Sequence, residues 1–301
     1  MNFVDVKIWY QCNNYCFFCI QWEKRKTHAS KTLDEIKEIL FTEYKKWVRW
    51  VNFTGWEPTV HSTLLPSIEY AKLLWYKTIK IQSNWQTFWD LKYCIKIIKA
   101  WANLFEPSIH WYNAETHDYL VQTKWSWHKV VAWIHNLKKL WQVVYINSVI
   151  TNQNYKEIPF LADLLIKLDV NYFQFAFPHI WWSAKKYHEM IVPKKTEIMP
   201  YIHNALLKAK KANKIARTEA IPLCFMQWFE DCVAEKYNPD TSVYDAEYSM
   251  WSYKEYKLNE GKSKQDKCKI CIKNKICEWP WREYPELYWW DEFKPIINKI
   301  I

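Results

Sequence analysis

The chain has 301 residues, half of them hydrophobic, with 42 Lys or Arg against 32 Asp or Glu and a formal net charge of +10. A length of this order allows one large core, or a core with a small appendage. No apolar run reaches the roughly 18–20 residues of a membrane span, and the opening MNFVDVKIWYQC lacks a basic region followed by an apolar stretch, so a soluble cytoplasmic protein is expected.

In chain order, strands are predicted over residues 5–11, 51–55, 78–84, 104–110, 143–151 and 172–178, from runs rich in β-branched and aromatic residues. Between them, amphipathic patterns predict helices over residues 32–44, 67–74, 91–100, 129–140 and 158–168. Strand and helix in strict alternation imply βαβ units and a parallel sheet. Six such units are too few to close an eight-stranded barrel, so the expected fold is α/β: a partial (β/α)6 TIM-like barrel. A further helix is predicted over 195–213. After Arg217 the composition changes: five of the nine cysteines, many tyrosines and little periodicity. Residues 1–216 therefore read as the core and 217–301 as a small Cys-rich, metal-stapled appendage. Catalytic groups in such architectures come from the carboxyl ends of the strands, and each motif of the core falls at one.

The cysteines cluster at short spacings, which fits thiolate metal ligation in a reducing compartment better than a disulfide framework. The lysines are spread along the chain and do not form one tract, which argues against nucleic acid as the partner despite the positive charge.

Glycine and tryptophan usage is anomalous: 2 glycines and 22 tryptophans, where ordinary usage predicts about 21 glycines. Several tryptophans stand where a chain needs glycine, such as Trp85 after a strand, Trp141 after the helical run HNLKKL, and the pair Trp181 and Trp182. Most of these positions are read as glycines in the living protein, with UGA codons, which some bacterial lineages read as glycine, rendered here as tryptophan. The alternative is a truly Trp-rich protein, such as an aromatic carbohydrate binder; UGG codons at Trp56, Trp85 and Trp182 would favour it.

The first strand runs into CNNYCFFC, which places Cys12, Cys16 and Cys19 at a Cys-x3-Cys-x2-Cys spacing. The segment IWYQCNNYCFFCIQWEKR resembles the cluster motif of the radical S-adenosylmethionine (SAM) family, including an aromatic, Phe18, before the third cysteine. The resemblance implies a [4Fe–4S] cluster on these three thiolates, which are natural soft ligands for iron. Three ligands leave one iron open, and in the family the amino and carboxylate groups of SAM occupy it. A three-cysteine zinc site or unrelated thiols are the plainer alternatives.

Later strand ends extend the resemblance. In VNFTGWEPTV, Gly55, Trp56 and Glu57 stand at the family's Gly-Gly-Glu-Pro motif. Backbone there lies against the methionine moiety of SAM, so Trp56 is a suspected glycine, and Glu57 orients the SAM amino group or the turn. IQSNWQ offers Ser83 and Asn84 at the cofactor rim, followed by Trp85. EPSIHWYNAETHD offers Ser108 and His110 for ribose or substrate contact. YINSVITNQN offers Asn147, with Ser148 and Thr151 as neighbours that could serve instead. A polar residue at a strand end is as often a cap or turn residue. His117, in the opening turn of a helix, has no carboxylate near it in sequence and is assigned no catalytic role.

Near the C-terminus, CKICIKNKIC places Cys268, Cys271 and Cys277 at Cys-x2-Cys-x5-Cys, and CEWPWREYPELYWWDEFKP follows. Both resemble the SPASM and twitch appendages of radical SAM enzymes, which hold auxiliary iron–sulfur clusters. With Cys224 they would complete one four-cysteine site for an auxiliary cluster, or for zinc, whose ligand set is identical. Cys232 is a ligand or a spare thiol, and Cys94, in LKYCIKII, reads as a small buried hydrophobe.

The activity implied is reductive cleavage of SAM to a 5′-deoxyadenosyl radical that takes hydrogen from a substrate, here a peptide or a cofactor precursor. An external one-electron donor such as flavodoxin or ferredoxin is implied as partner. An RNA-modifying radical SAM enzyme and a non-enzymatic, zinc-stabilised binding protein are the competing readings.

Overall fold

The computed structural model describes residues 3–20, 24–84, 86 and 90–297. Its nine strands form one sheet: β1 (Phe3–Trp9), β2 (Trp50–Gly55), β3 (Thr78–Ser83), β4 (Leu104–Pro107), β5 (Val143–Val149), β6 (Tyr172–Ala176), β7 (Ile215–Glu219), β8 (Thr241–Tyr244) and β9 (Ser249–Met250). The order is β7-β6-β5-β4-β3-β2-β1-β8-β9, every pair parallel except β8 with β9. The sheet is open, as the partial barrel predicts. The six predicted strands are present, each within a few residues of its expected bounds. All but β2, which ends at Gly55 as expected, stop one to three residues short, because the last residues leave the ladder to build loops at the barrel mouth.

Period-2 alternation gives the sheet two different faces. Val4, Val6 and Ile8 of β1, Val51 and Phe53 of β2, Ile79 and Ile81 of β3 and Phe173 and Phe175 of β6 point outward and are fully buried. Helices cover them: Leu33–Lys45, Leu64–Leu73, Leu91–Lys99, Ser126–Lys139, Ile158–Lys167 and Lys195–Lys211. Local chemistry starts these helices where the sequence turns: Thr32 and Glu35 form a capping box at Leu33, and Asp90 caps Leu91. Each such aliphatic side chain contributes about 1.5–3 kcal/mol on burial.

The inner face is polar, unlike that of most parallel sheets, which are apolar on both sides. Asn52 donates to Asp5 at 2.6 Å and to Gln82 at 3.3 Å, Lys80 pairs with Glu106 at 2.5 Å, and Gln174 bridges Asn147 and Glu219 at 3.3 and 2.9 Å. Hydrogen bonding thus runs from strand to strand around the lumen, whose cavity measures about 900 Å³.

β7 runs through Arg217, where the composition changes, and β8 seats on the free edge of β1. Asp245, the residue after β8, is a hub. Lys7 pairs with it at 2.5 Å and Lys24 at 3.2 Å, the Tyr10 hydroxyl donates at 3.3 Å, and Lys31 reaches its carbonyl at 2.8 Å. Asp245 therefore clamps both flanks of the Cys12–Cys19 loop to the C-terminal region. Burial works against its ionisation, but Lys7, the Ala246 N–H and Lys24 outweigh that and hold its carboxyl down at about 2.

The suspected glycines have a backbone signature. Of thirteen described non-glycine residues with positive φ, nine are tryptophan: Trp47, Trp75, Trp101, Trp125, Trp141, Trp182, Trp228, Trp279 and Trp289. Trp47, Trp75, Trp101 and Trp141 each follow a helix C-cap. In each case the next N–H closes a six-residue ring: Val48 to Glu43, Tyr76 to Ala71, Ala102 to Ile97 and Gln142 to Leu137, at 3.0 to 3.3 Å. This is the Schellman ending, whose left-handed residue is usually glycine. Trp141, 93% exposed, gains nothing from packing there. Trp181 has extended φ and needs no glycine, and Trp85 lies outside the described residues.

Two outcomes follow for stability. Replacing Trp47, Trp75 and Trp141 together with glycine should raise the thermal midpoint, with about 1 kcal/mol gained per position; an unchanged or lower midpoint contradicts the glycine reading. A depressed carboxyl contributes stability above its ordinary value near 3.8 and loses it as pH falls toward 2. Asp245→Asn should therefore lower the midpoint at neutral pH, with a deficit that shrinks across that acid window; a pH-independent deficit contradicts the clamp.

Candidate active site

The carboxyl ends of β1 to β7 surround a cavity of about 300 Å³, and Cys12, Cys16 and Cys19 all line it. Their loop is held from both sides. The N–H groups of Tyr15 and Phe17 donate to the carbonyls of Val121 and Leu120, at 3.0 and 3.1 Å, and the Asn14 N–H donates to the Cys12 sulfur at 3.3 Å. The Asn84 amide donates to the same sulfur at 3.2 Å and to the Asn13 side chain at 2.7 Å. Donors aimed at a sulfur stabilise it as thiolate and tune whatever metal it holds.

At the end of β2, Gly55 has φ 125°, and a Cβ there would lie 2.4 Å from the Trp9 carbonyl oxygen. No other residue fits. The next N–H, of Trp56, donates to that same oxygen at 3.1 Å. Trp56 lines the cavity and fills space in it; its buried indole N–H has no partner, and its ring meets Tyr10 edge-on at 4.8 Å. Glycine at 56 would remove an orphaned donor and open the cavity.

Glu57 stands behind the wall. Fully buried, its carboxylate accepts from the Thr59 N–H at 3.0 Å, the Thr59 hydroxyl, the Ser83 hydroxyl at 2.5 Å and the Asn84 N–H at 2.7 Å. Burial pushes its carboxyl above the usual value, and these bonds pull it back. Of the two roles expected for Glu57, the geometry provides the structural one: it holds the turn and, through it, Asn84.

Ser83, Asn84, Ser108 and Asn147 line the cavity, Ser108 and Asn147 facing each other across an isolated parallel bridge. Ser148 and Thr151 do not line it. His110 does, but as a neutral ring: burial lowers it to about 3, and its Nδ1 accepts the Val149 N–H at 3.1 Å. His117, buried behind it, accepts the His110 N–H at its Nδ1, and its Nε2 lies 3.3 Å from the Ser126 hydroxyl. Gln82, Glu219, His179 and Trp281 also line the cavity and were not anticipated. Gln82 and Glu219 belong to the polar inner face, whose alternation carries the signal. Glu219 lies on β7, whose short IARTE run follows a helix too closely to stand out. Gln82, Asn147 and Glu219 also line the lumen cavity, so the two spaces adjoin.

A second, small cavity of about 30 Å³ is lined by Cys224, Cys268, Cys271 and Cys277, with Leu223, Trp290 and Phe293 around them. The Ile296 N–H donates to the Cys271 sulfur at 3.4 Å. Burial and the nearness of Cys277, Cys268 and Cys271 push the Cys224 thiol up to about 12. Cys232 is elsewhere, beside Asp231, and Cys94 is buried in its helix. Among the described residues, no group of three or more His, Cys, Asp or Glu side chains is arranged to hold a single metal ion. A zinc site would need its sulfurs about 4 Å apart. An iron–sulfur cube spreads its ligands over separate corners; Cys12, Cys16 and Cys19 line one cavity, and Cys224, Cys268, Cys271 and Cys277 line the other.

Among the described residues no helix is long and apolar enough to cross a membrane. No curated protein matches the chain at a significant level. Among solved structures, it is similar to Streptococcus suis SuiB bound to precursor peptide SuiA, with a TM-score of 0.62 and 17% identity over 80% of this chain and 57% of that one. SuiB bound to S-adenosylmethionine gives 0.67 and 16% over 92% and 72%. Coproporphyrinogen III oxidase (HemN) from Escherichia coli, described as a radical SAM enzyme, gives 0.54 and 11% over 70% and 53%. The chain thus spans less than two thirds of SuiB in the peptide-bound form. These likenesses concern the fold. The family model of the radical SAM superfamily matches residues 6–165, more than half of the chain. With a partial barrel and three cysteines on one wall at its mouth, the chain belongs to the radical SAM superfamily, a superfamily of enzymes.

Proposed function

We propose that this chain holds a [4Fe–4S] cluster through Cys12, Cys16 and Cys19, cleaves SAM reductively in the cavity they line, and acts on a peptide. The observation that carries the reading is the convergence of those three cysteines, Gly55 and Asn84 on one cavity at the strand ends. When bound, such a cluster supplies one electron to the sulfonium of SAM, and the released 5′-deoxyadenosyl radical takes a hydrogen atom from the substrate.

The chain's own residues position and enclose. Gly55 lets backbone close the cavity wall, and position 56, as glycine, makes room beside it for the methionine part of SAM. Asn84, fixed by Glu57, donates to Cys12, while Ser83 holds Glu57 in turn. Ser108 and Asn147 stand on the opposite wall for ribose or substrate. No acid–base pair is required, which agrees with a neutral, buried His110.

The lumen below supports a peptide substrate: it adjoins the site through Gln82, Asn147 and Glu219, is spacious and is walled by hydrogen-bonding groups. The peptide-bound likeness of SuiB agrees. Residues 1–216 are proposed as the core and 217–301 as an appendage in which Cys224, Cys268, Cys271 and Cys277 hold an auxiliary iron–sulfur cluster.

Anaerobic reconstitution with iron and sulfide tests the reading. The chain with glycine at the suspect positions should show broad visible absorption and reductant-dependent SAM cleavage, and changing Cys12, Cys16 and Cys19 to Ala should abolish cleavage. A colourless protein, or cleavage that survives the triple change, refutes it. With every other suspect position set to glycine, a chain that keeps Trp56 should fail to bind SAM, and Trp56→Gly should restore binding. Equal SAM affinity in the two would show that position 56 does not border the cofactor.

A further inference from the structure

The loop carrying Cys268, Cys271 and Cys277 turns outward a surface that the barrel mouth does not use. Ile270, Ile272 and Ile276 are 65%, 51% and 61% exposed, although isoleucine is among the most buried residue types. They alternate with the cysteines along CKICIKNKIC. Ile297, 59% exposed, lies alongside, since the Ile272 N–H donates to the Ile296 carbonyl at 2.9 Å. The same stretch carries Lys264, Lys267, Lys269, Lys273 and Lys275 against a single acid, Asp266, which Lys269 pairs at 2.7 Å. Exposed aliphatic side chains ringed by charge of one sign mark an interaction surface. The sign of the charge selects an acidic partner.

From these features we propose that this face docks an acidic one-electron-transfer protein, whose electron enters the chain at the second cysteine cavity. The proposal rests on reading that cavity as an iron–sulfur site. The cavity borders this loop, since Lys273 and Asn274 line it together with the four cysteines. It also lies close to the active site along the chain. Cys277 lines the second cavity and Trp281 the first, four residues on, a span of at most about 14 Å of extended chain. The transfer makes and breaks no bond: the donor is oxidised by one electron and the iron–sulfur site is reduced by one.

The test uses the whole chain, reconstituted anaerobically, and a reduced acidic flavodoxin as probe. Bleaching of the visible absorption gives the reduction rate, and calorimetry gives flavodoxin affinity. One variant carries Lys267→Glu, Lys269→Glu and Lys275→Glu; another carries Ile270→Ser and Ile276→Ser. Both should hold the parent's iron and be reduced by dithionite at the parent's rate. Flavodoxin should reduce each about tenfold more slowly or worse, and the parent's rate should fall steeply with salt while that of the lysine variant barely changes. Flavodoxin reduction at the parent's rate in both variants overturns the docking face, and is the result expected if the patch seats a substrate peptide instead. A variant lacking Cys12, Cys16 and Cys19 separates the two layers. If it retains no iron, the iron–sulfur reading of the second cavity and the electron entry both fail. Flavodoxin affinity, lowered or not by the lysine variant, still decides the docking face alone.

Discussion

The barrel mouth depends on how closely β2 passes β1 at Gly55. The pairing of the two strands is regular from Phe3 with Trp50 to Lys7 with Thr54, then slips so that Trp9 meets Gly55. At that slip the Trp9 carbonyl occupies the position a Cβ on residue 55 would need. Such a register shift is a common use of a bulge beside an active site. One strand then delivers the cysteine loop and the other the GWEP turn, and both border a single cavity. Any side chain at 55 would push β2 away and part the two motifs.

A buried polar chain fixes the third element. Glu57 is saturated by donors from its own turn and from Ser83 and Asn84, so its carboxyl group orders the end of β3. Asn84, placed in this way, reaches back to Cys12. The carboxylate therefore acts on the cysteine loop at one remove. A satisfied buried network of this kind is rigid, and loss of a member leaves other groups desolvated and unpartnered. On the opposite side Asp245 does comparable work in a charged form, tying Lys7, Lys24 and Lys31 to the C-terminal strands.

Much of this was legible in the sequence because strand alternation and cysteine spacing are local signals. VDVKI already shows which residues of β1 face the helices, and CNNYCFFC sits where β1 ends. The tryptophans were legible through chemistry: Trp141 after HNLKKL occupies a left-handed turn that favours glycine. What escaped was non-local. β7 and β8 are short, and nothing in IARTE or TSVY says that they pair with β6 and β1, toward opposite ends of one sheet. Glu219 reaches the cavity only because β7 pairs with β6. Glu57 could be expected to face either SAM or its turn, since sequence carries no information on which donors would meet it.

The central claim is that three thiolates hold an iron–sulfur cube and leave one iron for SAM. Electron paramagnetic resonance of the reduced protein, with Cys268, Cys271 and Cys277 changed to Ala so that one site remains, addresses it directly. The account predicts a signal typical of a reduced [4Fe–4S] cluster, whose shape changes when SAM is added. A reduced, iron-loaded sample that gives no such signal, or one indifferent to SAM, would contradict it.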